Sequence, residues 1–192
     1  MAFVRLLTCV LVSIIATSGH TKIIGHQDNV DNACELLTEQ LAVELVGQPV
    51  KPGIKEHIPH LYSQCNYAGT EKGGYKVSFT TKFYPVDLLD YDNLDPMQLD
   101  FNVLFINGGK KHHDKKQFPG EATYVFHDQD LTNVFMIPGI TGPEYANGEK
   151  MRLGVNFQLT HPDMNPEDRR DVLMQQAWNY IKRLFKRAKK SE

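Results

Sequence analysis

The chain has 192 residues, 23% of them charged and 41% hydrophobic. That is the composition of an ordinary globular domain long enough to build its own core. Its net charge of −2 excludes the basic balance of a general nucleic-acid binder, and none is expected as a partner.

The first twenty residues are MAFVRLLTCVLVSIIATSGH. Arg5 precedes an apolar run, Leu6 to Ile15, that falls well short of the roughly 20 residues needed to span a bilayer. Ala16-Thr17-Ser18 then gives small residues at the spacing a signal peptidase recognises. Residues 1–18 therefore read as a signal peptide, and the chain as exported, periplasmic or secreted. An uncleaved anchor or a buried N-terminal helix is the alternative. A lipoprotein would carry its cysteine just after the apolar run, whereas Cys9 lies inside it. Residues 19–31 are polar and aperiodic, a flexible lead-in to a single domain over 32–192.

Removing the signal peptide leaves Cys34 and Cys65. Two cysteines in an oxidising compartment predict a disulfide. Free buried thiols would suit a cytosolic chain instead, and a metal pair would want further Cys or His close by. Asn32 and Glu35 have the spacing of a capping box. Leu37, Leu41 and Leu45 follow at helical spacing, Gly47 closes the helix, and Pro49 prevents its resumption. The proline-rich stretch 48–64 predicts a loop, and Cys65-Asn66-Tyr67 the start of a first strand.

The pattern Cys34-x-Leu36-Leu37-Thr38, Gly47-x-Pro49-Val50, Cys65-x-Tyr67 resembles a group of small exported bacterial proteins and lipoproteins. Some of them also carry an element similar to Gly120-Glu121-Ala122-Thr123-Tyr124. The resemblance implies a compact α+β domain. It implies no particular chemistry, because the group has no agreed activity.

Beyond a turn at Gly69–Gly74, several segments alternate with period two. Tyr75, Val77 and Phe79 share one side of a strand, and Leu99, Phe101, Val103 and Phe105 share another. Met151, Leu153, Val155, Phe157 and Leu159 mark the clearest half-buried strand. Thr123–His127 and Val134–Ile137 are shorter strands, with a hairpin turn between them. Asn165 caps a final helix, Pro166 takes its first position, and Glu167 and Asp168 face its positive dipole end. Leu173, Ala177, Ile181, Leu184 and Ala188 form its apolar stripe, widened by Trp178 and Phe185. The order of elements predicts an α+β fold: an antiparallel sheet with an N-terminal helix and a long C-terminal helix packed on one face.

Three charged segments are candidate sites. Asp87, Asp90, Asp92 and Asp95 lie in an acidic loop that also holds Tyr91 and several leucines. The loop lacks the glycine and the terminal glutamate of an EF-hand. It reads as acidic surface or, given its apolar side chains, as a protein-contact surface. Lys110, Lys111, His112, His113 and Asp114 form a basic loop with Lys115 and Lys116. His112, His113 and Asp114 are metal-ligand types. Neighbouring lysines repel a cation, so a solvated hairpin tip or a contact for an acidic partner are the other readings. Lys182, Arg183, Lys186, Arg187, Lys189 and Lys190 crowd the last helical turns. They suit the helix C-terminus, and their excess also fits peripheral contact with anionic membrane or an acidic protein.

No nucleophile elbow, zinc-protease helix or phosphate-binding glycine loop occurs. His127 with Asp128 and Asp130, or His161 with Asp163, provide general-base residue types without established geometry. The sequence thus favours a non-enzymatic exported protein-binding domain, of immunity or inhibitor type, with no cofactor. A periplasmic carrier of a small ligand or metal is the alternative.

Overall fold

A computed structural model describes residues 25–85, 110–112, 122–127, 129–145 and 147–188. The signal segment 1–18, the acidic loop with Asp87, Asp90, Tyr91, Asp92 and Asp95, the strand expected at 99–105, and His113 and Asp114 lie outside the described residues.

The fold is mixed α and β, a multistranded sheet with a C-terminal helix. Among the described residues the strands are β1 (Gly25–His26), β2 (Val50–Ile58), β3 (Tyr62–Gly69), β4 (Lys76–Pro85), β5 (Lys110–His112), β6 (Ala122–His127), β7 (Leu131–Ile137), β8 (Ile140–Thr141) and β9 (Met151–Thr160). The helices are α1 (Ala33–Leu36), α2 (Glu39–Val46) and α3 (Pro166–Ala188). The main sheet runs β2-β3-β4-β9-β7-β6-β5 with antiparallel neighbours. The short β8 pairs with β9 and, in parallel, with β1.

The centre of the sheet is β4 against β9, registered from Lys76 opposite Thr160 to Pro85 opposite Met151. Alternation along both strands sends Val77, Phe79, Phe83, Leu153, Val155, Phe157 and Leu159 into the core. Phe79 stacks on Phe157 at 4.1 Å and meets the Tyr180 ring of α3 edge-on at 5.5 Å. Leu173, Ala177, Ile181 and Leu184 of α3 belong to the same cluster, as do Leu37 and Leu45. Asn165 caps α3: its Oδ1 accepts from the Asp168 N–H at 2.9 Å.

Four expectations need correction. The N-terminal helix is two pieces. Asn32 caps α1 through the Cys34 N–H, and Thr38 opens α2 by accepting from the Leu41 N–H at 3.2 Å. A second cap, the Thr38 hydroxyl two residues past the end of α1, breaks what apolar spacing alone makes continuous. The proline-rich stretch is not a loop throughout, because Val50–Ile58 forms β2. Pro52 is tolerated because among the described residues β2 pairs on one side only, with a bulge between Pro52 and Lys55. In that bulge Asn66 Oδ1 accepts from the Ile54 N–H at 2.8 Å, and a Cβ on Gly53 would lie 1.9 Å from the same oxygen. Cys65 therefore belongs to the third strand. The basic loop expected from Lys110 begins as a strand, since Lys110–His112 pair with Val125–Thr123, and among the described residues this strand ends the sheet order opposite β2. Finally, the polar lead-in includes structure. Gly25–His26 pair with Ile140–Thr141, and Val30 is buried.

Candidate functional site

Cys34 and Cys65 form a disulfide, with 5.1 Å between Cα atoms and 31 residues of separation. It fastens α1 to β3. Around it, the Ala33 N–H donates to Ser63 Oγ, and Ser63 Oγ donates to the Glu56 carbonyl, each at 2.9 Å. The bridge and these bonds hold the Glu56–Ser63 end of the β2–β3 hairpin against the N-terminal helices.

The outer strand of that hairpin, β2, is exposed. From Lys51 to Ile58 every residue of β2 is exposed. Ile54 is 52% exposed, Ile58 40%, and Leu61, in the turn that follows, 37%. Large apolar side chains on a strand edge are costly in water, and exposed backbone there is a template for another strand. The first half of β2 is blunted by Lys51, Pro52 and the bulge. The second half, Lys55–Ile58, pairs residue for residue with Tyr62–Cys65 and is regular. Among the described residues β2 pairs on one side only.

A polar cluster lies at the opposite end of this hairpin, where the β3–β4 turn meets the loop after β9. Tyr75 donates its hydroxyl to Asp163 Oδ2 at 2.5 Å, and Lys72 Nζ donates to the same oxygen at 3.2 Å. The His161 ring meets Tyr75 edge-on at 5.0 Å. Hydrogen bonding to Asp163 raises the Tyr75 and Lys72 pKa values. The bonds from Tyr75, then Lys72, hold the Asp163 carboxyl below its ordinary 3.8. The hydrogen bonds printed to Asp163 thus come from a phenol and an ammonium, and the His161 ring meets Tyr75. The cluster works as a pH-dependent tether. Because the Asp163 pKa is depressed on folding, its stabilisation is present above 3.8 and is lost as pH falls through the lower folded value. In thermal unfolding from pH 7 to 2, the wild type should be the more stable of the pair with Asp163→Asn at neutral pH. That gap should close in acid; a gap independent of pH would remove this role.

The basic end of α3 is partly committed inside the molecule. Arg187 donates to Asp31 Oδ1 at 2.6 Å, and Lys182 Nζ sits 5.5 Å over the Trp178 ring.

Of the residues singled out from sequence, the structure joins Cys34 to Cys65 and carries Lys110, Lys111 and His112 on β5, at the other end of the described strand order from β2. Among the described residues no group of three His, Cys, Asp or Glu is placed to hold a metal ion. Two features went unread in the sequence. The exposed apolar edge was hidden in a proline-rich stretch. Arg169 is fully buried, four residues before Leu173 on the apolar stripe; its place on that stripe was the available signal. No family model, curated protein or solved structure matches the chain.

Proposed function

We propose that the protein is exported and acts by binding another protein, in the manner of an immunity or inhibitor protein, with no chemistry of its own. In this reading residues 1–18 are a signal peptide, and the rest is one α+β domain with both helical regions on one face of the sheet. The resemblance of the Cys34–Cys65 region to small exported bacterial proteins fits it. A disulfide suits an oxidising compartment, and no described helix is long and apolar enough to cross a membrane.

The observation that carries the binding proposal is the β2 edge: the regular end Lys55–Ile58 with exposed Ile58, flanked by exposed Ile54 in the bulge and Leu61 in the turn, and pairing on one side only among the described residues. A partner strand added there would gain main-chain hydrogen bonds and cover the apolar side chains. The test compares wild type with Ile54→Lys/Ile58→Lys as bait in the envelope fraction of the native host. Exposed positions should tolerate lysine with a stability change within about 0.5 kcal/mol. The wild type should retain a partner that the double variant loses. Equal capture by both, or capture by neither, would contradict the proposal.

A further inference from the structure

The outer face of α3 changes character along its length. Its first turns carry both signs, Glu167, Asp168, Arg170 and Asp171, and Arg170 pairs with Asp171 at 2.7 Å. From Val172 to Ala188 the helix holds no acidic residue, while Lys182, Arg183, Lys186 and Arg187 stand exposed in its final turns. Lys189 and Lys190 follow in the chain.

Two structural explanations fall short. The helix dipole favours cations in the last turn and fades beyond it. That accounts for Lys186 and Arg187, the basic residues of that turn, and Arg187 is already spent on Asp31 Oδ1 at 2.6 Å. It does not account for Lys182 and Arg183. Pairing along the helix does not account for them either. Lys182 lies four residues before Lys186, and Arg183 four before Arg187, a spacing at which like charges destabilise a helix. Among the described residues Lys182, Arg183 and Lys186 form no ion pair. The border of this basic face is aromatic. Trp178, Lys182 and Phe185 follow one another at helical spacing. Trp178 and Phe185 pack against the core and stay half-buried, and Lys182 Nζ sits 5.5 Å over the Trp178 ring. Rings beside ammonium groups suit a lipid–water interface, where the ring lies at headgroup level and the cation among phosphates. An acidic protein would engage the charges alone; the aromatic border favours a bilayer.

We propose that the C-terminal end of α3 binds the surface of an anionic phospholipid bilayer. Lys182, Arg183 and Lys186 donate to lipid phosphates, and Trp178 and Phe185 rest at headgroup level. The contact is peripheral, because Leu173, Ala177, Ile181 and Leu184 are buried in the core and unavailable for insertion. Charge also sets the direction of approach. The chain carries −2 overall, so an anionic surface repels the molecule as a whole and attracts this end. The site is separate from the β2 edge and stands without it.

Trp178 is the single tryptophan of the chain, so its fluorescence reports this surface alone. The test mixes the protein as its native host processes it, disulfide intact, with vesicles of phosphatidylglycerol and phosphatidylcholine or of phosphatidylcholine alone. Co-sedimentation and Trp178 emission are read together. The protein should pellet with the anionic vesicles, with its emission shifted to the blue, and stay in solution with the neutral ones. About 0.5 M salt should release it. Lys182→Gln/Arg183→Gln/Lys186→Gln should weaken binding by about a hundredfold, about fivefold per charge. The proposal is overturned if anionic vesicles do not bind, if neutral vesicles bind equally, if binding leaves Trp178 emission unchanged, or if the folded triple variant binds like wild type. Capture on immobilised polyglutamate with vesicles left unbound overturns it in favour of an acidic protein partner. Should the triple variant fail to fold, Lys182→Gln alone, with about a fivefold loss expected, decides by the same criteria.

Discussion

Replacing Arg169 by methionine should lower the unfolding free energy by about 3 kcal/mol or more, one of the largest losses available to a single substitution here. The side chain is fully buried at the start of α3. Its Nε donates to Thr132 Oγ1 at 3.1 Å, one terminal nitrogen to the His161 and Met164 carbonyls, and the other to the Gln129 carbonyl at 2.8 Å. One guanidinium thus ties the β6–β7 turn, β7 and the loop before α3 to the helix. The same seam is closed by the His161 N–H, which donates to the Asp130 carbonyl at 2.9 Å. Methionine matches the stem but leaves the buried Thr132 hydroxyl and three half-buried carbonyls without their donor, and charge-assisted bonds are the stronger kind. Lysine should recover only part of the loss, because a single ammonium cannot reach acceptors arranged for a planar fork. Denaturant melts at unchanged slope would report the difference. A loss under about 1 kcal/mol would show that water replaces the fork and that the clamp is not structural.

Cys34→Ala/Cys65→Ala should cost a similar amount, about 3–4 kcal/mol, for a different reason. The bridge closes a 31-residue separation, and in the chain-entropy model a loop of that size restricts the unfolded chain by roughly this much. Set against a typical domain stability of about 5–15 kcal/mol, the loss is large. The effect acts on the unfolded state, so the native sheet should persist in the variant. The Ala33 N–H bond to Ser63 and the Ser63 bond to Glu56 need no sulfur. Denaturant melts of the oxidised wild type, reduced wild type and double variant would separate the contributions. Reduced wild type should track the double variant. If reduction left stability unchanged, the bridge would be ornamental.

Much of the architecture was legible because it is written in local periodicity. The alternation of Met151 to Leu159 and of Tyr75 to Phe79 marks strands with one apolar side. Asn165, Pro166 and the stripe from Leu173 mark α3. Features that depend on partners distant in sequence were not legible in this way. Tyr75 and Asp163 lie 88 residues apart, and nothing near either announces the other. The prolines of 48–64 predict a loop, although a strand that pairs on one side only among the described residues and carries a bulge has room for Pro52. Thr38 looked like one more helical residue because its capping bond is a matter of geometry rather than composition. In LTNVFMI both sides of β7 are buried or nearly so, which erases the alternation that would have set Asn133 apart from a core position. Charge concealed Arg169, whose spacing to Leu173 belongs to the apolar stripe while its chemistry does not.

The proposed export into an oxidising compartment is the premise that the protein-binding proposal rests on, and the disulfide suits it. Intact-mass and peptide mass spectrometry of the protein isolated from its native host, alkylated without prior reduction, tests it most directly. The account predicts a chain beginning near residue 19, with the peptides that carry Cys34 and Cys65 joined and neither sulfur alkylated. A chain still beginning at Met1, with both thiols alkylated, would contradict it.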